Sequence, residues 1–144
     1  MLRPGSIPLA ALRAVIEVED ASPLVTPEGE TAPAPGTAAK HYAPRAALHL
    51  VPSGEVEERA RSLREGGAKV GTLTRDAHAP APLSRADGPA PHAVLADDPT
   101  AFASSLYAAL HWLDDRGCTA IVAQAIPDDA AWAAVADRLR RAAS

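Results

Sequence analysis

The stretch AVLADDPTAFASSLYAALHWLDDRGCTAIVAQ, Ala93 to Gln124, changes period twice. Ala93–Ala96 is a short apolar run, the length of a buried strand. Asp98-Pro99 then supplies a helix cap followed by proline at the first helical position, where its missing N–H costs nothing. Phe102, Leu106, Leu110 and Leu113 step by four, four and three residues, which predicts a long helix with one buried stripe. Gly117 ends it, and Thr119–Gln124 is apolar again and predicts another strand. Cys118 lies at the entry to that run and reads as a small buried hydrophobe rather than a reactive thiol. Strand, helix and strand in this order predict parallel pairing through a helical crossover.

The same alternation continues on both sides. Upstream, Ala46–Val51 predicts a strand and residues 53–67 a helix. Val56, Ala60 and Leu63 share one face of it, acids fill its first turns, and Gly66-Gly67 stand where a left-handed cap is needed. Lys69–Thr74 predicts a second strand. Residues 75–92, rich in Pro and Ala, read as a loop, which makes Ala93–Ala96 the third strand. Downstream, Pro127-Asp128 opens a last helix with Trp132, Val135 and Leu139 as its buried stripe and Arg138, Arg140 and Arg141 toward its C-terminal end. Residues 46–144 therefore predict a small Rossmann-like α/β domain, a parallel sheet with right-handed crossovers and helices on both faces.

The N-terminal third is different. Within residues 1–18, Leu9, Leu12, Val15 and Ile16 have helical spacing and predict a short helix. Residues 19–45 carry Pro23, Pro27, Pro33, Pro35 and Pro44 with few large apolar side chains, and read as an extended linker. A loop of more than twenty residues is commonly disordered or functional, and the cluster HYAPR at its end, residues 41–45, favours function.

Composition sets the limits. The chain has 144 residues, 47% hydrophobic and 3% aromatic, with net charge −4 and no basic stripe, which argues against direct nucleic-acid binding. It contains no run of about 18 apolar residues and no signal-peptide pattern, so a cytoplasmic location without membrane contact is expected. The single cysteine rules out an internal disulfide and any multi-cysteine metal site. No nucleotide-binding glycine motif, no histidine pair at metal-ligand spacing and no G-x-S-x-G elbow occurs. Asp114-Asp115 and Asp128-Asp129 sit at helix ends, where capping and solvation account for them better than acid–base pairing.

Three segments carry a resemblance: LRPGSI at residues 2–7, APGTAAKHYAPR at residues 34–45, and DDRGCTAIVAQAIPDDAAWAAVADRLRRAA at residues 114–143. Together they resemble the C-terminal domain and linker of Sua5-type L-threonylcarbamoyladenylate synthases, the long form of the Sua5/YrdC family. The resemblance implies a YrdC-like catalytic domain, in cis or in trans, that condenses threonine, bicarbonate and ATP into threonylcarbamoyl-AMP for the t6A modification of tRNA. ATP with Mg would be a substrate of the full-length enzyme, and no cofactor is expected in this chain. Residues 1–18 would be the end of the catalytic domain, with Met1 where that domain is closing, and the chain alone would be inactive.

By the same resemblance, Arg3 and Tyr42 line the nucleotide side of the pocket, and Pro35, Gly36, His41 and Arg45 belong to a lid over ATP or threonylcarbamoyl-AMP. No catalytic or metal-binding residue is expected here. An Arg can fork onto phosphate oxygens, a Tyr can stack or donate its O–H, and a proline-bounded loop with a Gly hinge can exclude water. Thr37-Ala38-Ala39 stands where family members usually have Met, a basic residue and an aromatic, and Asp137-Arg138-Leu139 where Asn-Arg-Leu is common. The other reading of the residues is a free-standing Rossmann-like module that binds a small ligand or a protein and makes no threonylcarbamoyl-AMP.

Overall fold

The computed structural model describes residue 7, residues 9–19 and residues 43–143. They form helix α1 (Leu9–Arg13), strand β1 (Ala47–Val51), a single 3-10 turn (Ser53–Glu55), helix α2 (Val56–Glu65), strands β2 (Val70–Asp76), β3 (Leu83–Ala86) and β4 (His92–Ala96), helix α3 (Pro99–Asp115), strand β5 (Ala120–Gln124) and helix α4 (Ala133–Ala142). Residues 44–126 with Ala143 make one compact unit, and α1 and α4 belong to a second.

In the first unit the strands form one sheet in the order β1-β5-β2-β4-β3. β5 pairs with β1 and β2, and β2 with β4, all parallel. The alternation of side chains along β2 shows why Val70–Leu73 are all buried. Val70 packs with Val56 and Ala60 of α2 and with Ala120 and Val122 of β5. The next residue, Gly71, turns its α-carbon toward Leu113 of α3 and Cys118. One helix thus lies on each face. On the α3 side, Phe102, Leu106, Leu110 and Leu113 are all buried, as their spacing requires.

The caps follow the sequence. Asp98 accepts a hydrogen bond from the Ala101 N–H at 2.8 Å, with Pro99 at the first helical position. α2 closes at Gly67 (φ 87°) and α3 at Gly117 (φ 72°), both in the left-handed region that a side chain resists.

Two expectations need correction. The stretch 75–92 is not all loop: β2 runs on to Asp76, and β3 pairs antiparallel with β4, so the sheet has a fifth strand. β3 is a four-residue edge strand beside Pro82, a place where missing ladder bonds are tolerated and where too few residues exist for a period to show. The N-terminal helix spans only Leu9–Arg13, and Val15 and Ile16 lie beyond it, exposed.

In the second unit, Asp129 accepts hydrogen bonds from the Ala131 and Trp132 N–H groups and so caps the turn ahead of α4. Trp132, Val135 and Leu139 are buried as expected. Arg141, expected to answer the helix dipole, is itself buried and donates from Nε to Asp137 one turn earlier at 3.0 Å.

Candidate functional site

The polar groups of residues 44–126 gather at the two ends of the sheet. At the carboxyl end, where open parallel sheets bind ligands, Arg75 closes β2 and pairs with Asp97 beyond β4 at 2.5 Å. The Arg75 N–H also donates to the Gln124 side chain of β5 at 3.2 Å. Arg75 thus ties Asp97 and Gln124 together at this end of the sheet. Beside them a cleft of about 270 Å³ is lined by Val51, Glu55, Glu58, Arg59 and Ser62. Two carboxylates against one guanidinium make it unfavourable for phosphate.

At the amino end, the penultimate residue of α3 meets the chain entering β1. Asp114, whose side chain is 5% exposed, accepts from the Arg45 N–H at 2.8 Å and from the Ala46 N–H at 3.0 Å, one on each oxygen. The Arg45 guanidinium, 80% exposed, lies 3.9 Å from Asp114 and from the exposed Asp115. Solvation explains Asp115 but not Asp114, so the sequence reading of the pair is corrected for that residue. Nearby, Trp112 of α3 is covered by Arg116, 4.7 Å from the ring centroid, and by Arg85 of β3 at 5.9 Å. Arg116 Nε donates to Asp87 at 2.6 Å, a hydrogen bond that holds the Asp87 carboxyl below its ordinary range.

Among the residues expected to form the nucleotide pocket and lid, Arg45 alone falls within the described residues. Arg3, Pro35, Gly36, His41 and Tyr42 lie outside them. His49 is half-buried, and His78 and His111 are exposed. His92 shares a 2.8 Å hydrogen bond with the Thr74 hydroxyl, and burial pushes its pKa down against the opposing pull of Glu57. Cys118 is buried and its thiol pKa is raised by desolvation, the state of a core side chain rather than a nucleophile. Among the described residues no cluster of His, Cys, Asp and Glu has the geometry of a metal site, and no helix is long and apolar enough to cross a membrane. The two amides held by Asp114 and the placement of Arg85 over Trp112 were not readable in the sequence, since these partners are distant along the chain.

Residues 44–126 thus define a small α/β unit with a mostly parallel five-stranded sheet, its polar groups engaged in contacts within the unit. Residues 7–144 match the family described as "Threonylcarbamoyl-AMP synthase, C-terminal domain", and the chain belongs to that family. Similar proteins include the threonylcarbamoyl-AMP synthases of Pyrococcus abyssi (strain GE5 / Orsay) and Bacillus subtilis (strain 168), each 30% identical over 99% of this chain and 41% of the relative. Among solved structures, P. abyssi Sua5 complexed with L-threonine is 29% identical and superposes with a TM-score of 0.71, over 99% of this chain and 41% of that one. A P. abyssi Sua5 variant with a His and a Tyr changed to Ala is also similar, at 28% identity and TM-score 0.71 over 99% of this chain and 40% of that one. The chain therefore spans about 41% of the length of the curated relatives it matches.

Proposed function

We propose that this chain serves an L-threonylcarbamoyladenylate synthase as its C-terminal accessory domain and active-site lid. The reaction joins threonine, bicarbonate and ATP into threonylcarbamoyl-AMP with release of pyrophosphate, as a step toward t6A in tRNA. The observation that carries the reading is the match of residues 7–144 to the C-terminal domain of these synthases. The chain works with a YrdC-like catalytic domain, in cis or in trans, in the cytoplasm, and does not turn over alone.

In this reading Arg3 holds phosphate oxygens of ATP, which enters with Mg as a substrate. Tyr42 lies over the nucleotide, with Pro35, Gly36 and His41 forming the loop that excludes water from an intermediate prone to hydrolysis. A solved relative carries alanines in place of a His and a Tyr, and His41-Tyr42 is the only His-Tyr pair in this sequence. The role of Arg45 is divided: its backbone is held by Asp114, while its exposed guanidinium lies at ion-pair distance from Asp114 and Asp115.

The test compares wild type with Tyr42→Ala and Tyr42→Phe, in this chain joined to the N-terminal part of a relative, for threonylcarbamoyl-AMP formation and for melting temperature. Tyr42→Ala is expected to lose activity with an almost unchanged melt, while the Phe variant separates ring from hydroxyl. A melt lowered by several degrees with activity intact would make HYAPR a structural anchor instead.

A further inference from the structure

Asp114 occupies a position that electrostatics disfavours. It stands at the negative end of the α3 dipole, and burial of a carboxylate is costly unless hydrogen bonds replace its water. What replaces the water is the pair of backbone N–H groups of Arg45 and Ala46, 69 and 68 residues away in sequence. These two residues directly precede β1, an edge strand whose pairing with β5 begins at Ala47. The first bond into the adjoining chain is from the Ala47 N–H to the Thr119 carbonyl at 3.0 Å. Upstream of that bond Asp114 is the acceptor for the next two amides. The fixed backbone is thereby extended two residues toward the N-terminus.

We propose that Asp114 is a positioning residue that holds the backbone of Arg45 and Ala46 at the entry to β1, and through it the reach of Tyr42. Tyr42 precedes Arg45 by three residues, so it lies within at most about 11 Å of the anchored backbone. This consequence for Tyr42 rests on the function proposed above. The anchoring itself does not.

Hydrogen exchange at single amides of the full chain, in wild type, Asp114→Asn and Asp114→Ala, tests the anchor. The Asn variant keeps one acceptor and is the safeguard should the Ala variant fail to fold. Exchange at Arg45 and Ala46 is expected to rise roughly ten- to hundredfold while Leu73 and Ala123, in the central strands, keep their protection. Equal loss of protection at all four amides, or no change at Arg45 and Ala46, overturns the proposal. The consequence for Tyr42 is read separately in the joined polypeptide, by a double-mutant cycle of Asp114→Asn and Tyr42→Ala on threonylcarbamoyl-AMP formation. Non-additive losses are expected, because one residue acts through the other, and additive losses overturn that coupling. If Tyr42→Ala alone leaves the rate unchanged, the assignment of Tyr42 fails while the exchange result still decides the anchor.

Discussion

A methyl group at Gly71 would sit 2.7 Å from Leu113 Cδ2 and 2.9 Å from Cys118 Sγ. Leu113 is fully buried and has nowhere to retreat, so Gly71→Ala is expected to cost about 1–3 kcal/mol in urea unfolding. Adding Cys118→Ala should restore part of that loss. His92 carries a pH dependence of known sign. Burial lowers its pKa below the ordinary 6.5, so the unfolded chain takes up the proton first as pH falls. Its contribution is complete above pH 6.5 and is lost below it, toward the lower folded value. His92→Gln is expected to flatten the fall in melting temperature below that pH, and an unaltered slope would count against the assignment. Residues of this kind were only half legible. Cys118 was readable as a core side chain, because a lone thiol in an apolar run is commonly buried. Asp114 was not, because two adjacent aspartates at a helix end look alike until the fold brings a distant pair of amides to one of them.

At the scale of elements, α3 was the most legible, since its cap, its stripe and its terminating glycine all agree. Removing the cap isolates one of these signals: Asp98→Ala should destabilise the unit by about 1 kcal/mol, measured as a lower denaturation midpoint at constant slope. β3 was illegible for a physical reason. Four residues cannot show a period, and its pairing with β4 is long-range information. Its tie to α3 runs through Arg85 over Trp112. Trp112→Ala should cost about 3–5 kcal/mol from lost burial, with hydrogen-exchange protection in β3 lost before that in β5. Simultaneous loss in both strands would show that Trp112 supports the sheet as a whole rather than its edge.

For the whole molecule, the order of strands and helices predicted a parallel α/β sheet because each crossover helix must cover a face, and residues 44–126 bear that out apart from the antiparallel edge. The site was less legible. A parallel sheet leads one to search its carboxyl end, yet there Arg75, Asp97 and Gln124 are engaged with one another. What points to function is the match of residues 7–144 to the C-terminal domain of threonylcarbamoyl-AMP synthases, a kinship that composition and spacing alone could not reveal. In the proposed function this chain contributes to catalysis without catalysing. Pyrophosphate release from ATP, threonine and bicarbonate measures it most directly, with three samples compared: the purified chain, the N-terminal part of a relative, and the two joined. The account predicts no turnover by the chain alone and a rate for the joined protein well above that of the N-terminal part. Turnover by the chain alone, or an equal rate with and without it, would contradict the account.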